Sequence, residues 1–111
     1  MFIRICLPTA LLAAVLSIFN PALAEESFTI VFKDHRIDPQ ELRVPANRKI
    51  TLIVDNQDSA PEEFESHSLK RGKVVPGKSK ATIKIGPLKP GTYELVGKYH
   101  ESTAQGRIIA K

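Results

Sequence analysis

Acidic and histidine side chains that could bind a metal ion occur in two short segments of the chain. In the first segment, Glu63, Glu65 and His67 are spaced at two residues, and side chains at that spacing lie on one face of a β-strand. The second segment contributes His100, which lies between two apolar runs near the end of the sequence. Carboxylate and imidazole groups together suit Cu(II), Fe(II), Mn(II) or Zn(II). The two segments therefore predict a mixed carboxylate–imidazole metal site where they converge.

Further candidate ligands lie close to these segments or in an early loop. His35 and Asp38 follow the first apolar run and could reach the same end of a sandwich as His100. Glu62 shares the alternation of Phe64, an aromatic residue expected in the core, so it is the second choice beside Glu63. The predicted metal ligands are Glu63, Glu65, His100, His67 and His35, with Glu62, Asp38, Glu101 and Gln105 as secondary candidates.

Each of these residues also has an ordinary explanation. Alternate glutamates along a strand often form only its solvent-exposed face, because charged side chains mostly stay exposed. A histidine in a loop, such as His100 or His35, can be a plain surface residue. No catalytic site is predicted, because Ser66 and His67 are neighbours that alternate to opposite faces of a strand and cannot form a nucleophile–base pair.

The beginning of the sequence has the features of a secretory signal peptide. A positive charge at Arg4 precedes an apolar run at positions 10–19, and Ala22-Leu23-Ala24 matches the small-residue cleavage pattern. We therefore expect residues 1–24 to be a signal peptide and residues 25–111 to form one domain. The mature protein is expected in the periplasm without a membrane anchor.

The pattern of residues 25–111 predicts an all-β protein. Short apolar runs alternate with turns rich in proline and glycine, and no stretch has a convincing helical period. Predicted strands cover residues 27–33, 41–44 at an edge, 50–54 at a central position, 62–69, 80–85 and a final hairpin, whereas 34–40 and 74–77 are predicted breaks. The number and spacing of the strands favour an antiparallel Greek-key β-sandwich over a small barrel or a fibronectin-like module.

The order of these features resembles that of a cupredoxin. The resemblance depends on residues 43–47 (RVPAN), 50–56 (ITLIVDN) and 91–100 (GTYELVGKYH). More narrowly, residues 62–66 (EEFES), 73–77 (KVVPG), 85–91 (IGPLKPG) and 99–106 (YHESTAQG) resemble the thiol-poor periplasmic cupredoxin-like proteins that accompany bacterial ferrous-iron permeases.

The resemblance implies a cupredoxin-like sandwich that binds copper, iron or both. It also implies a role in iron uptake beside an inner-membrane iron permease and a second periplasmic metal-binding protein, as a redox partner or at most a contributor to ferrous-iron oxidation. His100 matches the later imidazole ligand of a blue-copper site, and Gly97 stands at the position of the thiolate. The earlier imidazole position falls among Glu62, Glu63 and Glu65, and the axial position falls near Gln105.

A basic stretch separates the two candidate segments. No acidic residue occurs between Glu65 and Glu94, and the net charge of the chain is +4 with neutral histidines. The basic residues in this stretch are Lys70, Arg71, Lys73, Lys78, Lys80, Lys84 and Lys89. Such lysines often only keep strand edges from pairing with other chains. The alternative is a metal-free interaction module that docks an acidic partner through this lysine-rich face; nucleic acid is not expected, because no aromatic residues are interleaved with the lysines.

Overall fold

Two β-sheets pack face to face in the part of the chain that the structure describes. The structure, a computed structural model, describes residues 25–111, and the predicted signal peptide lies outside them. The elements are β1 (Glu26–Lys33), β2 (Arg36–Asp38), β3 (Glu41–Val44), β4 (Ile50–Asn56), β5 (Glu62–Ser66), β6 (Arg71–Val75), β7 (Ser79–Ile85), β8 (Gly91–Gly97), a 3-10 turn (Lys98–His100) and β9 (Gln105–Ala110). One sheet has the order β2-β1-β4-β7 and the other β3-β9-β8-β5-β6. The predicted all-β sandwich is confirmed, and none of the described residues forms a helix of the length and apolar character that crossing a bilayer requires.

Strict alternation of side chains produces the core between the sheets. In β4, Ile50, Leu52 and Val54 are buried while the residues between them are partly exposed. This strand lies between β1 and β7, which confirms the predicted central position. In β5 the fully buried Phe64 faces the core, as its aromatic character predicts. Each large apolar side chain buried in this way contributes about 1.5–3 kcal/mol to stability.

The strands differ from the predictions in four respects. Residues 71–75 form β6, which pairs antiparallel with β5, although 74–77 is a predicted break. The segment predicted to extend over 62–69 ends at Ser66, and a turn at 67–70 leads into β6. Alternation is invisible in β6, because four of its five residues are exposed at the sheet edge. The predicted loop 34–40 also contains the short strand β2, and two strand pairs, β1–β4 and β3–β9, run parallel.

Asn56 fixes the connection that leads into β5. Its side chain is fully buried at the end of β4. The amide Nδ2 donates to the carbonyl oxygens of Ala60 at 2.9 Å and Val75 at 3.1 Å, and Oδ1 accepts from the backbone N–H of Asp58 at 3.1 Å. Buried polar groups need such partners, since each one left unpaired costs about 1–3 kcal/mol. One side chain therefore positions residues 57–61 and the start of β5.

Candidate metal centre

Glu62 and His100 form a direct side-chain pair where β5 begins and the turn after β8 ends. Nδ1 of His100 lies 2.5 Å from Oε2 of Glu62. The side chain of Glu62 is 4% exposed and that of His100 is 27% exposed, so the pair is buried on one side and accessible through the imidazole. An ionised carboxylate only accepts hydrogen bonds, so Nδ1 carries the shared proton when Glu62 is charged. The structure thus brings one carboxylate and one imidazole together from two distant segments.

Two backbone N–H groups hold one oxygen of the Glu62 carboxylate in place. Oε1 accepts hydrogen bonds from the backbone N–H of Tyr99 at 2.8 Å and of Glu63 at 3.0 Å. Two N–H donors offset part of the cost of burying a charged group. Oε2 has His100 as its partner. The carboxylate is therefore oriented before any ion arrives, with one oxygen anchored and the other directed at the imidazole.

His35 adds a second imidazole to this pair. Its ring stacks on that of His100 with the centroids 3.7 Å apart and the planes 9° from parallel. The turn between β1 and β2 that carries it is left-handed, with φ of 53° at Asp34 and 58° at His35. Residues other than glycine rarely adopt this conformation. Aspartate and histidine are among the residues that tolerate it, and the two-residue turn of the β1–β2 hairpin favours positive φ at both positions.

Asp58 stabilises the left-handed turn from a neighbouring loop. Its carboxylate accepts hydrogen bonds from the backbone N–H of Asp34 at 2.8 Å and of His35 at 3.0 Å. Burial tends to raise the pKa of Asp58, but these N–H donors outweigh it and lower the pKa below its ordinary value. Asp58 is a supporting residue that sequence reasoning missed, since an aspartate in a polar loop carries no distinguishing signal.

The predicted ligands Glu63 and Glu65 do not meet His100. Alternation along β5 turns Glu62, Phe64 and Ser66 inward, where all three are buried. Glu63 and Glu65 consequently project from the opposite face of the sheet. The prediction that Glu63 and Glu65 converge with His100 is therefore wrong in its choice of carboxylate, and the second choice, Glu62, takes that place.

Two basic side chains lie close to the Glu65 carboxylate on the outer side of the sheet. Oε1 of Glu65 lies 3.5 Å from Nε2 of His67, and Oε2 lies 3.4 Å from Nζ of Lys98. The charge of Glu65 raises the pKa of Lys98. His67 itself is 82% exposed. Within residues 25–111, no three acidic, histidine or cysteine side chains form a ready-made metal-binding group, so the inner site is a pair with a stacked ring rather than a completed cage.

The secondary candidates Asp38, Glu101 and Gln105 lie on the surface. Asp38 lines a surface groove with Arg36 and the start of the following loop. Glu101 ends the 3-10 turn and is exposed. Gln105 is exposed on β9, where its Nε2 donates to the backbone carbonyl of Glu101 at 2.8 Å. None of the three shares a described hydrogen bond with Glu62 or His100.

The donor set of this centre fits a divalent transition-metal ion. Carboxylate and imidazole are ordinary ligands of Cu(II), Fe(II) and Zn(II). Glu62 and His100 supply one of each, and the ring of His35 stacks on that of His100. An ion held by both residues at metal–ligand distances of about 2.0–2.2 Å would take the place of the shared proton and would need the contact between Oε2 and Nδ1 to open slightly.

Comparisons with known proteins agree with this architecture. The family model described as a cupredoxin-like domain matches residues 6–110. An uncharacterized protein of Rickettsia prowazekii (strain Madrid E) is 49% identical over 90 residues, which are 81% of this chain and 70% of that protein.

Two solved structures have the same fold at low sequence identity. Auracyanin A, described as a blue copper protein from the green thermophilic photosynthetic bacterium Chloroflexus aurantiacus, matches with a TM-score of 0.68 at 14% identity, covering 79% of this chain and 100% of that chain. A chain of a heme-copper terminal oxidase dimer matches with a TM-score of 0.64 at 15% identity, covering 78% of this chain and 65% of that chain. At such identities the likeness shows the fold alone.

Proposed function

Because the chain belongs to the cupredoxin-like domain family, we propose that it binds a transition-metal ion, copper or ferrous iron, between Glu62 and His100. The ion is cargo that the protein holds and hands on. The observation that carries the proposal is the buried contact of 2.5 Å between the Glu62 carboxylate and the His100 imidazole. Metal and proton compete for such a pair, because both the carboxylate oxygen and Nδ1 must be free of protons to bind an ion.

Each residue of the centre has a separate task in this function. Glu62 supplies a negatively charged oxygen that two backbone N–H groups hold in position. His100 supplies a nitrogen ligand. Its ring is partly exposed, and the ion enters and leaves from this side of the centre. His35 covers that ring and offers a third ligand once its own ring turns. Asp58 keeps His35 in place through the turn that it stabilises.

A metal titration of the purified protein tests the proposal. We expect Cu(II) binding, followed by calorimetry or paramagnetic resonance, to weaken by about 100-fold or about 2.7 kcal/mol in His100→Ala, because a direct ligand is lost. His67→Ala is the matched control, since His67 is exposed in the turn after β5 and contacts Glu65 rather than Glu62, and its affinity should stay within about twofold of the wild type. Equal affinities for wild type and His100→Ala would refute the proposed site.

The setting that we propose is support of iron uptake in the periplasm. Residues 62–66, 73–77, 85–91 and 99–106 support it by their resemblance to cupredoxin-like proteins that accompany ferrous-iron permeases. The signal-like residues 1–24 support export of the mature domain. The partners would be the permease and a second periplasmic metal-binding protein. The ion would be released to the permease from the side of the centre where the His100 ring is exposed.

A second candidate function, docking of an acidic partner, is favoured by the positions of the basic residues. The strands β6 and β7 are edge strands of the two sheets. They meet at one side of the sandwich, where Nε of Arg71 donates to the backbone carbonyl of Lys84 at 3.5 Å. Arg71, Lys73 and Lys80 are exposed there. Positive charge concentrated along one side favours an acidic surface and speeds its association.

Salt dependence distinguishes docking from simple edge protection. The association rate with the purified permease should fall by about tenfold or more between about 50 and 500 mM salt, because the Debye length shortens from about 14 to about 4 Å. The double variant Lys73→Glu/Lys80→Glu should lose most of that salt dependence, whereas the control Lys111→Glu, exposed after β9 near the opposite edge of that sheet from β6, should retain it. An association rate indifferent to salt and to the double variant would leave the lysines with edge protection only.

A further inference from the structure

Gly97 occupies a position whose backbone does not need glycine. It ends β8 with φ of −90° and ψ of 103°, an extended conformation that every L-amino acid adopts freely. Its amide donates to the carbonyl of Ala104 at 2.9 Å, as the amide of any residue except proline would. Conformational freedom therefore does not explain this glycine, and the reason must lie in the space around its missing side chain.

The space that a side chain at position 97 would fill is already occupied. A Cβ atom there would lie 2.8 Å from Cδ and 3.0 Å from Oε2 of Glu62, and 2.7 Å from Cβ of Ala104. Carbon atoms pack at about 3.5–4.0 Å. Ala104 is fully buried and its amide donates to the carbonyl of His100 at 2.8 Å, so it has little room to withdraw. The carboxylate that contacts His100 thus reaches its place through the volume that Gly97 leaves empty.

The types of ligand atom in the centre determine which metal ions it prefers. Thiolate and thioether ligands select Cu(I), whereas carboxylate and imidazole suit divalent ions. Residues 25–111 contain neither cysteine nor methionine, since the one cysteine is Cys6 and the one methionine is Met1. A charged oxygen is the group that fills the position beside His100.

We propose that Gly97 determines metal selectivity: its missing side chain admits the Glu62 carboxylate beside His100, and the resulting oxygen–nitrogen centre accepts divalent ions and rejects monovalent, sulfur-preferring ions such as Cu(I). This inference rests on the proposed function and narrows it. A centre that favours Cu(II) over Cu(I) holds copper in its oxidised state. The protein then acts as a carrier of divalent ions rather than as a one-electron relay.

A stability experiment without metal tests whether positions 97 and 62 share space. The experiment compares four proteins: a parent, Gly97→Ala, Glu62→Ala and the combination of both changes. All four carry Ala104→Gly, which removes the second close contact of a side chain at 97. Gly97→Ala should lower the midpoint of urea unfolding when Glu62 is present and lower it by less than half as much when Glu62 is also replaced by Ala. Equal shifts in the two backgrounds would overturn the inference, because independent sites give additive effects.

A selectivity experiment tests the consequence. The wild type should bind Cu(II) at least 100-fold more tightly than Ag(I), which serves as a redox-inert probe for Cu(I). Gly97→Cys combined with Glu62→Ala and Ala104→Gly, which removes the second close contact of a side chain at 97, should narrow that ratio at least tenfold and add an intense visible band on Cu(II) addition, because a thiolate joins His100. Equal binding of the two ions by the wild type, or an unchanged ratio in the triple variant, would overturn the selectivity inference alone. A wild type that binds neither ion would overturn the proposed function as well.

Discussion

Glu62→Gln should weaken Cu(II) binding by about 100-fold, whereas Glu63→Gln should change it by less than about threefold. The amide oxygen of the introduced glutamine can still accept the N–H groups of Tyr99 and Glu63, so the fold is expected to survive the change. In place of Oε2 the variant has an NH₂ group, which cannot ligate a metal and faces Nδ1 of His100. The loss of one charged ligand is worth about 2.7 kcal/mol at this fold-change.

The comparison of these two neighbours decides between the faces of β5. Calorimetric titration of both variants with Cu(II), beside thermal unfolding without metal, gives affinity and stability separately. Glu63 is a matched control because it differs from Glu62 in the direction of its side chain and not in its chemistry. A larger loss in Glu63→Gln than in Glu62→Gln would move the site to the outer face, where sequence reasoning first placed it.

Asn56→Ala should destabilise the protein by about 3 kcal/mol. The variant leaves the carbonyl oxygens of Ala60 and Val75 without their donor in a buried region, where each unpaired group costs about 1–3 kcal/mol. It also opens a small cavity at a fully buried position. Urea unfolding of the variant measures the change as a shift of the midpoint at constant slope.

The neighbouring residue provides the control for this prediction. Gln57 is exposed and its amide donates to the partly exposed carboxylate of Asp55, so Gln57→Ala should change stability by less than about 0.5 kcal/mol. We further expect Asn56→Ala to loosen residues 57–61, which carry Asp58 and lead into Glu62. A midpoint unchanged from the wild type would show that these carbonyls find water or other donors.

The sequence predicts the architecture well because the signal is periodic. Phe64 lies in the core, as its aromatic character and the alternation along β5 predict. The edge strand β3 and the central strand β4 also agree with prediction. Strand β6 was missed because its edge position leaves four exposed residues without a pattern.

The predicted convergence of Glu63 and Glu65 with His100 failed for a different physical reason. The period-two spacing of Glu63 and Glu65 made them look like a paired site. The same spacing also arises when glutamates simply form the exposed face of a strand. The position of Glu62 beside His100 follows from Phe64, because a residue two positions from a core aromatic must also face inward. What alternation cannot show is that a buried Glu62 would find its partners in two backbone N–H groups and His100. Those contacts depend on the loop that follows β8, which has no periodic pattern.

The left-handed turn at His35 has a consequence for anyone who tries to improve this protein. At a φ of 58°, glycine relieves backbone strain, and a search for thermostable variants would select it, with a gain of up to about 1 kcal/mol. The same exchange would strip the aromatic cover from His100. The substitution that raises the melting temperature would therefore remove a ring from the proposed metal centre. A library ranked by melting temperature alone would lose His35.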